Sequence, residues 1–396
     1  MLRELAISSP IQDLPPVEVF FGPQLRVLSL EFHGSTAIKS ITYLPTFSPN
    51  IQTLHLTITQ GLTVRSLAPV IAQLNTLCDL CLLFSLRARP EGPSLSSEIC
   101  EALSRLPCLE RFKTNWLANI ANIPRRGTQN EPTFTKLRSL VLLDCLHPHV
   151  PPYLSIIRKY KFPNLRTISV NFAPRSTEVA GRDTIKDLMQ AMKDSLPRAR
   201  LTRCFLTCPS SGVSKVTPAS LEPLLLYHKL ETIRLRNCVE LDDADYERMA
   251  RAWPQLRNAE LTTSGLWEVS PSPANILHFV RHCPRLNALT IEFDATRIGE
   301  LHANGRPGGG ATNDKIKRLV VGRSRITFEN RFTVAAFLAD VFPNLEEISV
   351  SALALEKNTW EEVQAIFRGL LVPMRKWQNT TVLVEADTSR DADTTL

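Results

Sequence analysis

Nine cysteines and eight histidines are the residues of this 396-residue chain best suited to metal or nucleophilic chemistry, and their spacing decides what they can do. Cys78-x-x-Cys81 has the spacing of a zinc half-site. A structural zinc ion takes four ligands, and no second Cys or His pair follows at finger spacing. Cys204-x-x-x-Cys208 fails in the same way, with Cys204 at a position expected in a core. His278 and His282 stand four apart on a predicted helix, followed by Cys283, but Phe279-Val280-Arg281 between them lacks the glutamate of a metalloprotease helix. They are expected to be solvent-facing helix residues. His147-Pro148-His149 is expected in a loop.

Phosphate and acyl chemistry are no better served. Gly305, Gly308, Gly309 and Gly310 cluster within residues 302–314, but no strand-to-helix phosphate motif surrounds them and no Lys-Ser or Lys-Thr pair follows. The expectation is a mobile loop. No G-x-S-x-G nucleophile elbow occurs. Asn379-Thr380-Thr381 is a glycosylation sequon by its letters, idle in a chain without a secretion signal. These residues predict no catalytic centre, no cofactor and no metal.

Composition narrows the class further. Hydrophobic residues make up 43% of the chain, enough for a continuous core. The formal charge of +7 favours acidic partners, although Lys and Arg are spread along the chain without a run of five. Leu2-Arg3-Glu4-Leu5 is already charged, so no apolar signal region opens the sequence. No stretch approaches the ~18 apolar residues of a membrane span. An odd cysteine count at irregular spacing then reads as free thiols in a reducing compartment. A cytoplasmic or nuclear monomer, off the membrane, is expected.

The elements that would position any site come from a repeat. Residues 162–170 (FPNLRTISV) and 342–350 (FPNLEEISV) are nearly identical across the chain, and weaker copies of apolar-x-x-apolar-x-apolar recur every 23 to 36 residues from Leu2 to Leu345. The last two apolar positions alternate with one variable residue, the period of a strand with one buried face. Proline just before the first apolar position, as at Pro49, Pro163, Pro254, Pro284 and Pro343, ends the incoming helix. Helix-period segments lie between, at residues 68–77, 97–106, 152–161, 182–196, 242–253, 273–282, 333–342 and 359–371. A strand plus a helix per unit of this length is a leucine-rich repeat. The expected fold class is α/β: a leucine-rich-repeat solenoid, a ribonuclease-inhibitor-like horseshoe with a parallel concave sheet and outer helices. It spans residues 1–385 in about 12–13 irregular repeats. Pro/Ser/Gly-rich loops are expected at 87–96, 122–132 and 207–218, a last strand near Trp377 and residues 381–384, and a disordered tail at 386–396.

Leu137-x-x-Leu140-x-Leu142-x-x-Cys145 and Leu230-x-x-Ile233-x-Leu235-x-x-Cys238 resemble cysteine-containing leucine-rich repeats. With Glu240-Leu241-Asp242-Asp243, His282-Cys283-Pro284-Arg285-Leu286 and the two FPNL units, the chain resembles the repeat region of fungal F-box/leucine-rich-repeat proteins. The resemblance implies the substrate-recognition domain of a ubiquitin-ligase adaptor. Leu14-Pro15-Pro16-Val17-Glu18 has only a passing likeness to the F-box opening, and a repeat strand follows at Leu25. A Skp1-like linker is therefore expected as partner only where an F-box lies outside this chain.

The variable residues beside the buried strand positions form the concave face. In the middle repeats they make a basic band, Arg111, Lys113, Arg203, Arg234 and Arg236, around the apolar Val141, Leu143 and Phe205. Arginine anchors about an apolar centre suit a protein interface. An acidic or phosphorylated protein segment is the expected partner. Nucleic acid fits less well, since Phe205 is the one aromatic in the band and stacking platforms use several. Later repeats turn neutral or acidic, with Glu260, Glu292 and Glu347 at the matching positions. A standalone repeat scaffold without a ubiquitin link is the alternative reading.

Overall fold

Each apolar-x-x-apolar-x-apolar unit folds into one short strand. The computed structural model describes residues 2–7, 17–32, 40–58, 67–84, 97–115, 133–145, 152–172, 183–209, 215–263, 271–304 and 307–371. The strands are β1 (Glu4–Ile7), β2 (Val27–Phe32), β3 (Thr53–Ile58), β4 (Asp79–Phe84), β5 (Arg111–Thr114), β6 (Ser139–Cys145), β7 (Thr167–Phe172), β8 (Arg203–Thr207), β9 (Thr232–Arg236), β10 (Asn258–Leu261), β11 (Ala288–Ile291), β12 (Arg318–Gly322) and β13 (Glu347–Val350). Within each unit the strands follow one another in the order of the chain. The chain divides into two compact units, Met1–Leu230 with Arg234–Cys238, and Glu231–Ile233 with Val239–Leu396.

In the first unit β1 to β8 pair in parallel, each with the next. The register stacks like on like: Leu28, Leu54, Leu80, Phe112, Leu140, Ile168 and Cys204 are successive partners and every one is buried. In the second unit β10 to β13 repeat the arrangement with Ala259, Leu289, Leu319 and Ile348. Burying each Leu, Ile or Phe of these columns contributes roughly 1.5–3 kcal/mol. A parallel strand followed by a helix, repeated, is an α/β leucine-rich-repeat solenoid.

The turn into each strand explains the prolines. Leu165 N–H donates to the Phe162 carbonyl at 3.2 Å, and Leu345 N–H to that of Phe342 at 3.2 Å. Pro163 and Pro343 therefore sit at the second position of a four-residue turn, where their fixed φ is pre-set. The residue ahead of the proline is driven out of helix, with φ −121 at both Trp253 and Phe342. The carbonyl after a leading Leu then accepts two N–H groups from the next repeat, as Arg138 O does from Arg166 and Thr167. The asparagine of the FPNL units reaches back one repeat: Asn344 Nδ2 donates to Asp314 O at 2.8 Å, and Asn164 Nδ2 to Thr135 O at 2.5 Å. Asn50 does the same to Pro23 O at 2.9 Å.

The helices are α1 (Leu44–Phe47), α2 (Ala68–Ile71), α3 (Ser97–Arg105), α4 (Pro152–Lys159), α5 (Asp183–Ser195), α6 (Pro218–Leu225), α7 (Asp243–Ala252), α8 (Ala274–His282), α9 (Arg331–Val341) and α10 (Lys357–Ile366). Four departures from expectation stand out. The helix expected over residues 68–77 is cut to one turn, because Gln73 and Leu74 bond three residues back, to Val70 and Ile71. The chain forms α6 where no helix was expected. Pro223 inside it argues against a helix, but Pro218 opens it and the Thr217–Ser220 capping box satisfies its first donors. The expected mobile loop at 302–314 is held over residues 307–314. Asn313 accepts from Lys315 N and Ile316 N and donates to Leu286 O, while Gly308 N–H donates to Asp340 Oδ2 at 2.9 Å. The helix expected at 359–371 begins at Lys357 and gives way to a wider turn over Phe367–Leu371. The strand expected near Trp377, the tail from 386, the loops at 87–96 and 122–132, and His147 and His149 lie outside the described residues.

Candidate protein-binding surface

Because β-strand side chains alternate, positions flanking the buried columns share the opposite face of the sheet. The register of the first unit arranges them in rows. One row runs Asp79, Arg111, Ser139, Thr167, Arg203. The next runs Cys81, Lys113, Val141, Ser169, Phe205. Arg111, Lys113, Arg203, Arg234 and Arg236 are exposed, and Val141, Leu143 and Phe205 are half-buried. All eight residues of the expected band thus lie in the first unit, since Arg234–Cys238 belongs to it.

The cations are not evenly spread. On β5, Arg111 Nε donates to Asp79 Oδ2 of β4 at 2.8 Å, while Lys113 sits one row over. On β8, Arg203 Nε donates to Thr167 Oγ1 of β7 at 3.0 Å. The Arg234 guanidinium leans from β9 over the Phe205 ring of β8, 5.2 Å from its centroid. This is cation–π geometry. The result is a basic pole on β5 and a second over β8, with the neutral Ser139, Val141, Thr167 and Ser169 of β6 and β7 between them.

Two neighbours were not assigned to the band from the sequence. Asp79 is the carboxylate that engages Arg111, and aligning the repeats places the two side by side. Cys81 stands beside Lys113. Burial pushes its thiol up, and the Lys113 ammonium offsets part of that effect. Thr167 faces this side but is only 7% exposed, because Arg203 lies across it.

In the second unit the register corrects one expectation. Glu292 is not on the open face: it is 3% exposed, just beyond the end of β11. Its Oε2 accepts from Thr263 N at 2.8 Å and Thr263 Oγ1 at 2.9 Å, and its Oε1 from Arg323 N at 2.9 Å. Gly322 makes room for it, with φ +58 and a Cβ position 2.4 Å from Glu292 Oε1. The sequence also gave no weight to Phe328 and Phe332, exposed aromatics whose rings lie 3.5 Å and 4.6 Å from the Arg331 guanidinium. The spacing Phe328-x-x-Arg331-Phe332 was the available signal.

The other chemistry-bearing residues are dispersed. Cys204 and Cys283 are fully buried, and burial pushes both thiols to about 12. Cys238 is raised by its hydrogen bond with Cys208 and by burial. Cys78 is also raised by burial, and its thiol donates to Thr76 O at 3.4 Å. His278 and His282 are half-buried, and burial lowers the His278 pKa. Among the described residues no three His, Cys, Asp or Glu side chains come together as a metal site. No helix among them is long and apolar enough to cross a membrane.

No protein-family model matches the chain, nor does any curated protein sequence. Among solved structures, the yeast complex of Rad7 with Elc1 aligns at 14% identity and a TM-score of 0.44, over 86% of this chain and 79% of that one. A TLR13–ssRNA13 complex aligns at 13% identity and a TM-score of 0.40, over 85% of this chain and 49% of the other.

Proposed function

We propose that the chain is a non-catalytic protein-recognition module that captures an acidic or phosphorylated protein on the open sheet face of its first unit. The observation that carries this reading is the grouping of exposed cations at β5 and β8–β9 around half-buried apolar side chains on one face. Charge complementarity steers and orients such a partner, and the apolar centre excludes water around the contacts. The resemblance of the repeats to those of F-box/leucine-rich-repeat proteins favours a role as the substrate-binding part of a ubiquitin-ligase adaptor. A standalone scaffold with the same binding face is the second reading.

The test is capture of a cellular partner by the tagged chain and by an Arg203→Glu, Arg234→Glu, Arg236→Glu variant. The three side chains are exposed, so the variant is expected to keep its helical content and melting temperature. Loss of the partner supports the proposal, and undiminished capture by the folded variant refutes it. Recovery of a Skp1-like linker and a cullin with the partner would favour the adaptor role over the scaffold.

A further inference from the structure

The two basic poles are a fixed distance apart, and that distance selects among acidic partners. Resting on the proposed capture of an acidic partner, we infer that the bound segment is an extended chain. It carries acidic groups at positions i and i+4 and an apolar residue at i+2.

The spacing follows from the sheet. From β5 to β8 the chain steps across three strand intervals of about 4.8 Å each, so roughly 14 Å separates the poles. The Arg234 charge of the second pole sits over β8 and not β9, because its guanidinium leans back over Phe205. Arg203 adds its charge on the same strand, turned toward Thr167 of β7. The first pole is Lys113, with Arg111 beside it held partly by Asp79.

An extended segment rises about 3.3–3.4 Å per residue, so four residues also cover roughly 14 Å. Alternation places i, i+2 and i+4 on one face of that segment. When i meets Lys113 and i+4 meets Arg203 and Arg234, i+2 falls midway, over Val141 and Ser169. That middle ground carries no charge on β6 or β7 among the positions in register with the poles. A carboxylate at i+2 would find no cation there, whereas an apolar side chain meets Val141. Carboxylates and phosphates share the chemistry the poles recognise.

The experiment is fluorescence anisotropy with labelled, Gly/Ser-flanked peptides carrying Glu-Ser-Leu-Ser-Glu, its phosphoserine counterpart, and versions with the two acidic residues adjacent or eight apart. The i, i+4 peptides are expected to bind about tenfold more tightly than the respaced ones, because only they engage both poles. Lys113→Glu and Arg203→Glu should each remove most of that advantage, and Lys113→Ala, a milder change, should reduce it. Equal affinity for all spacings overturns the inference. If spacing is without effect while the triple arginine variant still loses its cellular partner, the acidic-partner proposal stands and the spaced motif falls. If capture is also unaffected, both fall. Tighter binding of a single-stranded DNA oligonucleotide than of any peptide would overturn the inference in favour of nucleic acid.

Discussion

The guanidinium of Arg234 lies 5.2 Å from the centroid of the Phe205 ring, one strand away. The contact holds a flexible cation over a half-buried aromatic, so part of the entropy of ordering Arg234 is already lost before a partner arrives. Phe205→Leu keeps an apolar side chain and removes the ring. Exposed cation–π contacts contribute about 0.5–1 kcal/mol. Affinity for an acidic partner is expected to fall two- to fivefold with little change in thermal stability, as calorimetric titration and a melt of the same sample will show.

Asp79 competes for Arg111. Its carboxylate accepts from Arg111 Nε at 2.8 Å, and the arginine side chain is 60% exposed. An exposed pair of this kind contributes about 0–1 kcal/mol to folding. Asp79→Asn is therefore expected to leave stability nearly unchanged and to strengthen acidic-partner binding, with a steeper loss of affinity as salt is raised. Weaker binding by the variant would show that Asp79 orients Arg111 and does not occupy it.

The asparagines of the FPNL units act between repeats. Asn344→Ala removes the donor to Asp314 O, and Asn164→Ala removes the donor to Thr135 O. A lost hydrogen bond costs about 1 kcal/mol. Chemical denaturation of each variant is expected to show a destabilisation of that size with binding of the partner unaltered.

Gly322 and Glu292 form a matched pair. A Cβ at Gly322 would lie 2.4 Å from Glu292 Oε1, on a backbone with φ +58. Gly322→Ala combines backbone strain with overpacking, together about 3 kcal/mol. Glu292→Ala removes the clash but leaves the N–H groups of Thr263 and Arg323 without their acceptor. The double variant is expected to be less destabilised than the sum of the singles, and strict additivity in urea unfolding would contradict the contact.

Much of the fold was legible because the repeat writes its own punctuation. Pro163 and Pro343 mark the turns, and the Leu, Ile and Val residues after them mark the strands, so each of the thirteen expected copies became a strand. What the sequence hid depends on neighbours distant along the chain. Glu292 reads as one more open-face residue until β11 is seen to end at Ile291, which turns the next side chain inward. Thr167 occupies an open-face row yet is covered by Arg203, a residue of the next repeat. Helix α6 was hidden by Pro223, a local signal that packing overrode: Leu221 and Leu224 are fully buried. The band residues could be named from the sequence. Their grouping into two poles could not, because it rests on the directions in which Arg111, Arg203 and Arg234 lean.

The central claim is that the partner sits on the open sheet face of β5 to β9. Site-specific photocrosslinking tests it most directly, with the photoreactive side chain placed at Ser169 between the poles or at exposed Lys186 on α5. Mass spectrometry should identify a discrete protein crosslinked from Ser169, lost when Arg203, Arg234 and Arg236 are reversed in charge, and none from Lys186. Crosslinking from Lys186 alone, or from Ser169 regardless of the arginines, would contradict the account.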